Sequence, residues 1–219
     1  MSNPTPHRAK QTSDGPALTS FSGKRRGPLI TGFPVVLDAC VLVNSTIRDF
    51  VLYAAHLALY RPIWSADILR ELRATLSRFG IQADRVEYIV SQMSGAFPEA
   101  CVDGYETLIG GMKNDPGDRH VLACAVVGKA QLIVTENLRH FPPTSLEPYH
   151  IEATNADDFL RDLLDIDRDR MLEVLTTIAE TRKMPPRTIE ELLEAVRANG
   201  CPGFAADMRA ALERCYSDS

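Results

Sequence analysis

The residues with the types and positions to do chemistry are five oxygen-bearing side chains that lie far apart along the chain. They are Asp38, Glu71, Asp115, Asp118 and Asn137. Carboxylate and amide oxygens suit hard divalent ions such as Mg²⁺ and Mn²⁺. An ion held by such oxygens lowers the pKa of a bound water and polarises a phosphoryl oxygen, which favours hydrolysis of phosphodiesters. These residues therefore predict a metal-dependent hydrolase site.

The motifs of other catalytic classes do not occur in the sequence. It has no G-x-S-x-G elbow, no phosphate-binding GxxxxGK[ST] loop and no G-x-G-x-x-G. The five cysteines are odd in number and include no CxxC pair, which indicates neither a zinc site nor a disulfide framework. No residue outside the oxygen-bearing set is predicted to supply a nucleophile.

Each candidate also has a plain structural interpretation. Asp115, followed by a proline and then by Asp118, has the pattern of a helix start, with a capping side chain and an acidic first turn. Asp38 can form a turn or a cap, and Glu71 can be a solvated residue with charged neighbours on its helix. The spacing of these residues leaves both interpretations open.

The elements that must position these side chains follow an α/β pattern. Short apolar runs predict strands at Pro34–Leu37, Tyr60–Trp64, Ala100–Val102, Leu132–Thr135 and Tyr149–Glu152. Helical patterns between them predict helices that begin near residues 46, 66, 83 and 119. A carboxylate such as Asp38, directly after a buried strand, is costly unless it is paired or binds a cation. Open α/β folds place ligand sites at that edge of the sheet.

The chain divides by composition into three parts. Residues 1–32 are rich in Ser, Thr, Pro and basic residues, which predicts a disordered basic tail; residues 33–160 carry the α/β pattern; residues 161–219 have helical patterns only. The formal net charge of −5 gives no support to tight nonspecific binding of polyanions. We expect a cytoplasmic protein, because no apolar run is long enough for a membrane span and the cysteines suit a reducing compartment.

Three stretches together resemble the PIN domain family, in particular its VapC-like toxin members. They are V-V-L-D-A-C-V-L-V, S-A-D-I-L-R-E-L, and D-P-G-D-R-H-V-L-A-C-A followed by L-I-V-T-E-N-L-R-H-F-P. The resemblance covers roughly residues 33 to 164, and the last pair of motifs is its most specific part. It implies a PIN-like three-layer α/β/α fold with a central parallel sheet, here extended by C-terminal helices, and a Mg²⁺- or Mn²⁺-dependent endoribonuclease.

The resemblance also implies roles for the candidate residues. Asp38 and Asp118 hold the catalytic ion, and Glu71 completes the metal shell or positions the attacking water. The family's site has a fourth polar position, after those of Asp38, Glu71 and Asp118. Many relatives have Asp there, where this chain has Asn137. The amide removes one charge, and Asp115 is an extra carboxylate that can replace it at a second metal position. The hydroxyl of Thr135 supports the site.

The resemblance implies partners as well. Its toxin members cut RNA, are inhibited by a cognate antitoxin and often form homodimers. Four basic residues beside the carboxylates are candidates for RNA phosphate contacts, although surface salt bridges explain them equally well. These residues are Arg70, Lys113, Arg119 and Arg139.

Two other functions fit part of the pattern. A phosphatase of the haloacid-dehalogenase type also begins with a strand and an Asp, but it needs a second Asp two residues later, where this chain has Cys40. A non-catalytic PIN-like module that binds RNA or protein is the second alternative. The intact carboxylates argue against that module.

Overall fold

A computed structural model of the chain describes residues 32–181 and 188–217. The predicted basic tail lies outside these ranges except for its last residue. The helical C-terminal segment lies largely within them. No helix in the described ranges is both long and apolar enough to cross a membrane.

A five-stranded parallel sheet forms the centre of the molecule, as the sequence predicts. Its strands are β1 (Pro34–Leu37), β2 (Arg61–Ser65), β3 (Cys101–Val102), β4 (Leu132–Val134) and β5 (Glu152–Thr154). The spatial order is β3-β2-β1-β4-β5, and every neighbouring pair is parallel. Chain order changes direction between β1 and β4, so the carboxyl ends of these two strands are where a ligand site is expected.

The prediction for the last strand is wrong by three residues. Glu147–Tyr149 forms a 3-10 turn, and His150 then adopts a left-handed conformation with φ of 55°. Tyr149 and His150, the first two residues of the predicted strand, are therefore not extended. The chain therefore becomes extended only at Glu152.

Helices cover both faces of the sheet and continue beyond it. They are α1 (Ala39–Val43), α2 (Ser45–His56), α3 (Ala66–Arg78), α4 (Ala83–Ala96), α5 (Glu106–Ile109), α6 (Arg119–Val127), α7 (Pro143–Leu146), α8 (Ala156–Ile166), α9 (Arg168–Thr181), α10 (Ile189–Ala198) and α11 (Pro202–Ser217). Successive residues of a strand point to opposite faces. Since Val35 and Val36 are both fully buried, both faces of β1 are covered, which confirms the three-layer α/β/α fold.

Helix α6 is buried along most of its length and packs against β1, β2 and β4. Its sequence RHVLACAVV has no polar face, which is typical of a helix surrounded by other elements. The helix ends at Gly128, where a side chain would collide with Ile63 of β2, 2.9 Å from the position of a Cβ atom. This close contact holds the end of α6 against the sheet. The turn before α6 lies at the carboxyl edge, where the N–H of Asp115 donates to His140 O in the loop after β4 at 3.1 Å.

The C-terminal helices pack on α2 and share one hydrophobic core with the sheet domain. Phe204 of α11 makes an edge contact with Phe50 of α2, with ring centres 5.3 Å apart, and Phe159 of α8 packs in the same way on Tyr60 at 5.0 Å. The division of the chain at residue 160 stays a prediction; α8 runs across that position without a break.

Candidate metal centre

The carboxylate of Asp38 lies where β1 ends and is held by residues from the end of β4. Asp38 is 3% exposed, and its Oδ2 atom accepts a hydrogen bond of 2.7 Å from the hydroxyl of Thr135. The backbone N–H of Asp38 donates to Val134 O at 3.0 Å, which continues the pairing of the two strands. The side-chain hydrogen bonds from Thr135 and Cys40 both reach Oδ2, so a cation bound by this carboxylate would contact Oδ1.

Cys40 is a second partner of Asp38. Its Sγ atom donates to Asp38 Oδ2 at 3.1 Å and accepts from the backbone N–H of Glu136 at 3.3 Å. Burial, helped by the charge of Asp38, raises the pKa of the Cys40 thiol from 9.0 to about 12. The thiol therefore stays protonated and acts as a hydrogen-bond donor to the carboxylate. A cysteine two residues after Asp38 carries no signal for this role in the sequence.

Asp115 and Asp118 enclose a 3-10 turn, Pro116–Asp118, that leads directly into α6. Asp115 caps the turn, because its Oδ1 accepts from the backbone N–H of Gly117 at 2.9 Å. Asp118 occupies the N-cap position of α6, yet its side chain makes no capping hydrogen bond. The structure thus separates the two residues: Asp115 has the capping role that the sequence allowed, and the carboxylate of Asp118 is used elsewhere.

That carboxylate faces His140, a residue for which the sequence analysis predicted no role. His140 Nδ1 lies 2.5 Å from Asp118 Oδ2, and the backbone O of His140 accepts from the N–H of Asp115 at 3.1 Å. One ligand atom from each of Asp115, Asp118 and His140 lies within 4.8 Å of the other two, a spacing at which three groups can hold a metal ion. The sequence feature that could have pointed to His140 is its position in the loop after β4, which places it at the same edge of the sheet as Thr135.

Three carboxylates act on one another at this edge. The pKa of Asp118 is raised above 3.8, first because burial disfavours its charge, and further because the charges of Asp38 and Asp115 repel it. The hydrogen bond from His140 opposes this shift. Negative charge that is concentrated in a partly buried position favours a cation. The oxygen-rich donor set therefore fits a hard divalent ion.

Glu71 lies on α3 and reaches α6 through His120. His120 Nε2 is 3.5 Å from Glu71 Oε1, a distance typical of an ion pair and longer than a good hydrogen bond, while Nδ1 donates to Gly117 O at 3.1 Å. Burial lowers the pKa of His120, but Glu71 and the charges of Asp67 and Asp38 raise it, and the net pKa lies above 6.5. Glu71 thus contacts α6 through His120, and neither Glu71 nor Asp38 is among the three residues, Asp115, Asp118 and His140, whose ligand atoms lie within 4.8 Å of one another.

Asn137 contacts the site through its backbone. Its N–H donates to Thr135 Oγ1 at 3.1 Å, and the residue begins the 3-10 turn Leu138–His140. The Thr135 hydroxyl therefore links three positions, since it also donates to Asp38. This arrangement fits the supporting role predicted for Thr135. A role for the half-buried Asn137 amide in binding stays a prediction.

The four basic residues predicted near the site lie at its margins. Arg70 forms an ion pair with Asp67 on the same helix, and Arg139 Nε donates to His140 Nε2 at 3.2 Å. Arg119 Nε donates to the backbone O of Asn114 at 3.5 Å, and Lys113 is exposed. Arg70 and Arg139 thus already have acidic or imidazole partners, and RNA contact by the four residues stays a prediction.

Comparison with known proteins identifies two families in the chain. Residues 34–139 match the PIN domain family, and residues 156–210 match the VapC50 C-terminal domain family. A stretch of 106 residues is 44% identical to the "Putative ribonuclease VapC50" of Mycobacterium tuberculosis, strain H37Rv. The match covers 48% of this chain and 62% of the relative, so the chain spans less than two thirds of that protein's length. No solved structure matches the chain.

Proposed function

We propose that the chain is a metal-dependent endoribonuclease of the PIN-domain family, on the premise that residues 34–139 match that family. The relative that it resembles is named a ribonuclease, which supports RNA as the substrate. We further propose that it is the cytoplasmic toxin of a toxin–antitoxin pair, inhibited by a cognate antitoxin. Formation of a homodimer stays part of this proposal.

One observation carries the proposal. The Asp118 carboxylate sits at a helix N-terminus without capping it, and its pKa is raised by burial and by the charges of Asp38 and Asp115. A protein that needed only a helix cap would turn that side chain onto the backbone N–H groups. A buried carboxylate with a raised pKa, beside other carboxylates at the carboxyl edge of an α/β sheet, is typical of a functional site.

Each residue has a part in the proposed reaction. Asp38 and Asp118 would hold a Mg²⁺ or Mn²⁺ ion, with Asp115 beside them, and Thr135 and Cys40 fix the orientation of the Asp38 carboxylate. Glu71, which is 40% exposed and next to His120, would accept a hydrogen bond from the attacking water. When bound, the ion lowers the pKa of a water and stabilises charge on the phosphate. The water oxygen forms a bond to phosphorus and the bond to the leaving oxygen breaks.

Cleavage of RNA by the purified chain tests this function. We expect a mixed RNA pool to be cut in Mn²⁺ or Mg²⁺, and to stay intact in EDTA and with the variants Asp38→Asn and Asp118→Asn. Asp169→Asn is the matched control, because the Asp169 side chain is 86% exposed on a C-terminal helix and should leave cleavage unchanged.

Two results would contradict the proposal. Cleavage that persists in EDTA would mean that no metal is needed. Folded protein that binds RNA but cuts neither the pool nor the RNAs of its own host, in either metal, would favour the non-catalytic PIN-like binding module instead.

A further inference from the structure

His140 brings a nitrogen atom to a set of oxygen ligands. Its Nδ1 lies 2.5 Å from Asp118 Oδ2, and the hydrogen bond from Asp115 N–H to His140 O fixes the His140 loop beside the turn before α6. Ligands that share one ion, with metal–ligand bonds of about 2.1 Å, lie roughly 3 to 4 Å apart. One ligand atom from each of Asp115, Asp118 and His140 lies within 4.8 Å of the other two, so a small shift that breaks the 2.5 Å hydrogen bond would bring the three groups to this spacing.

The hydrogen bonds of His140 in the structure indicate its tautomer. Arg139 Nε carries a hydrogen and has no lone pair to accept with, so it must donate to His140 Nε2 at 3.2 Å. Nε2 is therefore unprotonated, and the ring proton is on Nδ1, where it is donated to Asp118. The Nδ1 proton of His140 therefore lies between the imidazole and the Asp118 carboxylate.

We propose that His140 is a metal ligand, which joins Asp115 and Asp118 through Nδ1 when a divalent ion binds, and that the site therefore takes Mn²⁺ in preference to Mg²⁺. The inference rests on the proposed metal-dependent function and adds a ligand to it. Imidazole nitrogen suits transition ions, whereas Mg²⁺ favours shells made of oxygen and water. A purely carboxylate site would discriminate less between the two ions.

Binding at Nδ1 requires a change of tautomer. The Nδ1 proton leaves to solvent, Nε2 takes up a proton from solvent, and the imidazole stays neutral, so no net proton is gained or lost. Protonated Nε2 can no longer accept from Arg139. The exposed Arg139 side chain then loses its hydrogen bond to His140. Metal binding and the availability of Arg139 are therefore coupled.

Electron paramagnetic resonance of Mn²⁺ tests the ligand directly. Titration of the metal-free protein with Mn²⁺ gives affinity, and electron spin echo modulation reveals a nitrogen bonded to the ion. The variant is His140→Asn, which removes the imidazole at a side chain that is 26% exposed. His150→Asn is the matched control, because His150 precedes β5 at the opposite edge of the sheet and Asn tolerates its left-handed backbone. The variant His120→Asn tests whether His120, the other histidine near the site, is the source of the nitrogen modulation.

We expect nitrogen modulation in the wild type, His150→Asn and His120→Asn, and its loss in His140→Asn. The same variant should weaken Mn²⁺ binding by about tenfold or more and change Mg²⁺ binding, measured by competition, far less. Tight Mn²⁺ binding without nitrogen modulation, or with modulation that survives in His140→Asn, would overturn the proposal and leave the proposed nuclease intact. Absence of any Mn²⁺ binding would overturn both.

Discussion

The hydroxyl of Thr135 donates a 2.7 Å hydrogen bond to the carboxylate of Asp38, which joins the ends of β4 and β1 at the point where chain order in the sheet changes direction. Both residues are buried, Thr135 completely. The same hydroxyl accepts from the N–H of Asn137. The Thr135 side chain therefore contacts both the proposed ligand, which Cys40 also orients, and the start of the loop that carries His140.

Replacing Thr135 by Val should destabilise the protein. Val keeps the shape of Thr but leaves a buried carboxylate without one of its donors, which costs about 1–3 kcal/mol of unfolding free energy. Thr135→Ser restores the hydroxyl and should recover most of that loss. Urea denaturation of the metal-free variants measures the difference. A Val variant as stable as the wild type would show that the hydrogen bond contributes nothing.

Asp118→Asn should stabilise the metal-free protein at neutral pH, by about 1 kcal/mol, as is usual when a functional residue in an unfavourable environment is replaced. Burial and the charges of Asp38 and Asp115 raise the pKa of Asp118 in the folded state. With a raised pKa, the contribution of Asp118 to stability is present below its unfolded pKa and is lost as pH rises through the folded pKa. The advantage of the Asn variant should therefore shrink as pH falls into the acid range.

Thermal or urea denaturation across that pH range measures this prediction, with Asp169→Asn as the control. Addition of Mn²⁺ should reverse the order, because an ion stabilises the carboxylate form and is bound less well by the amide. An Asn variant that is less stable than the wild type without metal would contradict the electrostatic account of Asp118.

Glu71→Gln should lower the pKa of His120. The imidazole is buried, which disfavours its charge, and Glu71 is the first of the groups that raise its pKa above 6.5. Because the folded-state pKa is raised, the interaction stabilises the fold below the unfolded pKa and is lost as pH rises through the folded pKa. The variant should lose this stabilisation near pH 6 and differ little from the wild type at high pH.

Titration of the His120 ring resonances by NMR, in the absence of metal, measures the pKa. Glu87→Gln is the matched control, because Glu87 pairs with Arg73 on the exposed surface of α3 and α4. Equal pKa values for His120 in wild type and Glu71→Gln would mean that the 3.5 Å contact carries no interaction.

Asp157 should be important for stability because it connects two C-terminal helices. From the first turn of α8, its carboxylate accepts from the N–H groups of Gly203 and Phe204, at 3.0 and 2.7 Å, and so caps the start of α11. Asp157→Ala should cost about 1–2 kcal/mol, the usual loss when a helix cap is removed. Asp165→Ala, at an exposed position of the same helix, is the control. Equal urea midpoints for the two variants would contradict the capping role.

Much of the candidate site at the carboxyl edge could be predicted because few physical arrangements suit its residues. A buried run such as Pro34–Leu37 followed at once by Asp38 requires a partner for the charge, and Thr135 and Cys40 are those partners. Asp115 and Asp118 were ambiguous, because helix capping and metal binding use the same residue types. Only the three-dimensional structure shows that Asp115 caps and Asp118 does not.

Two features were beyond the sequence for a different reason. His140 lies in a loop, where neither helical nor strand periodicity assigns a direction to a side chain, so its contact with Asp118 depends on the path of the backbone. The sequence pattern predicts an apolar face on each C-terminal helix. It does not determine which element of the fold that face packs against. The edge contact between Phe204 and Phe50 identifies α2 as that partner.

The most direct test of the central claim is anomalous scattering from crystals soaked in Mn²⁺. The claim is that Asp38 and Asp118 hold the catalytic ion at the carboxyl edge between β1 and β4. We predict an anomalous peak bonded to Asp118 and lying on the Asp38 Oδ1 side, and no such peak in Asp118→Asn crystals. Crystals with saturating Mn²⁺ that show no peak at this edge, or show one only elsewhere on the protein, would contradict the account.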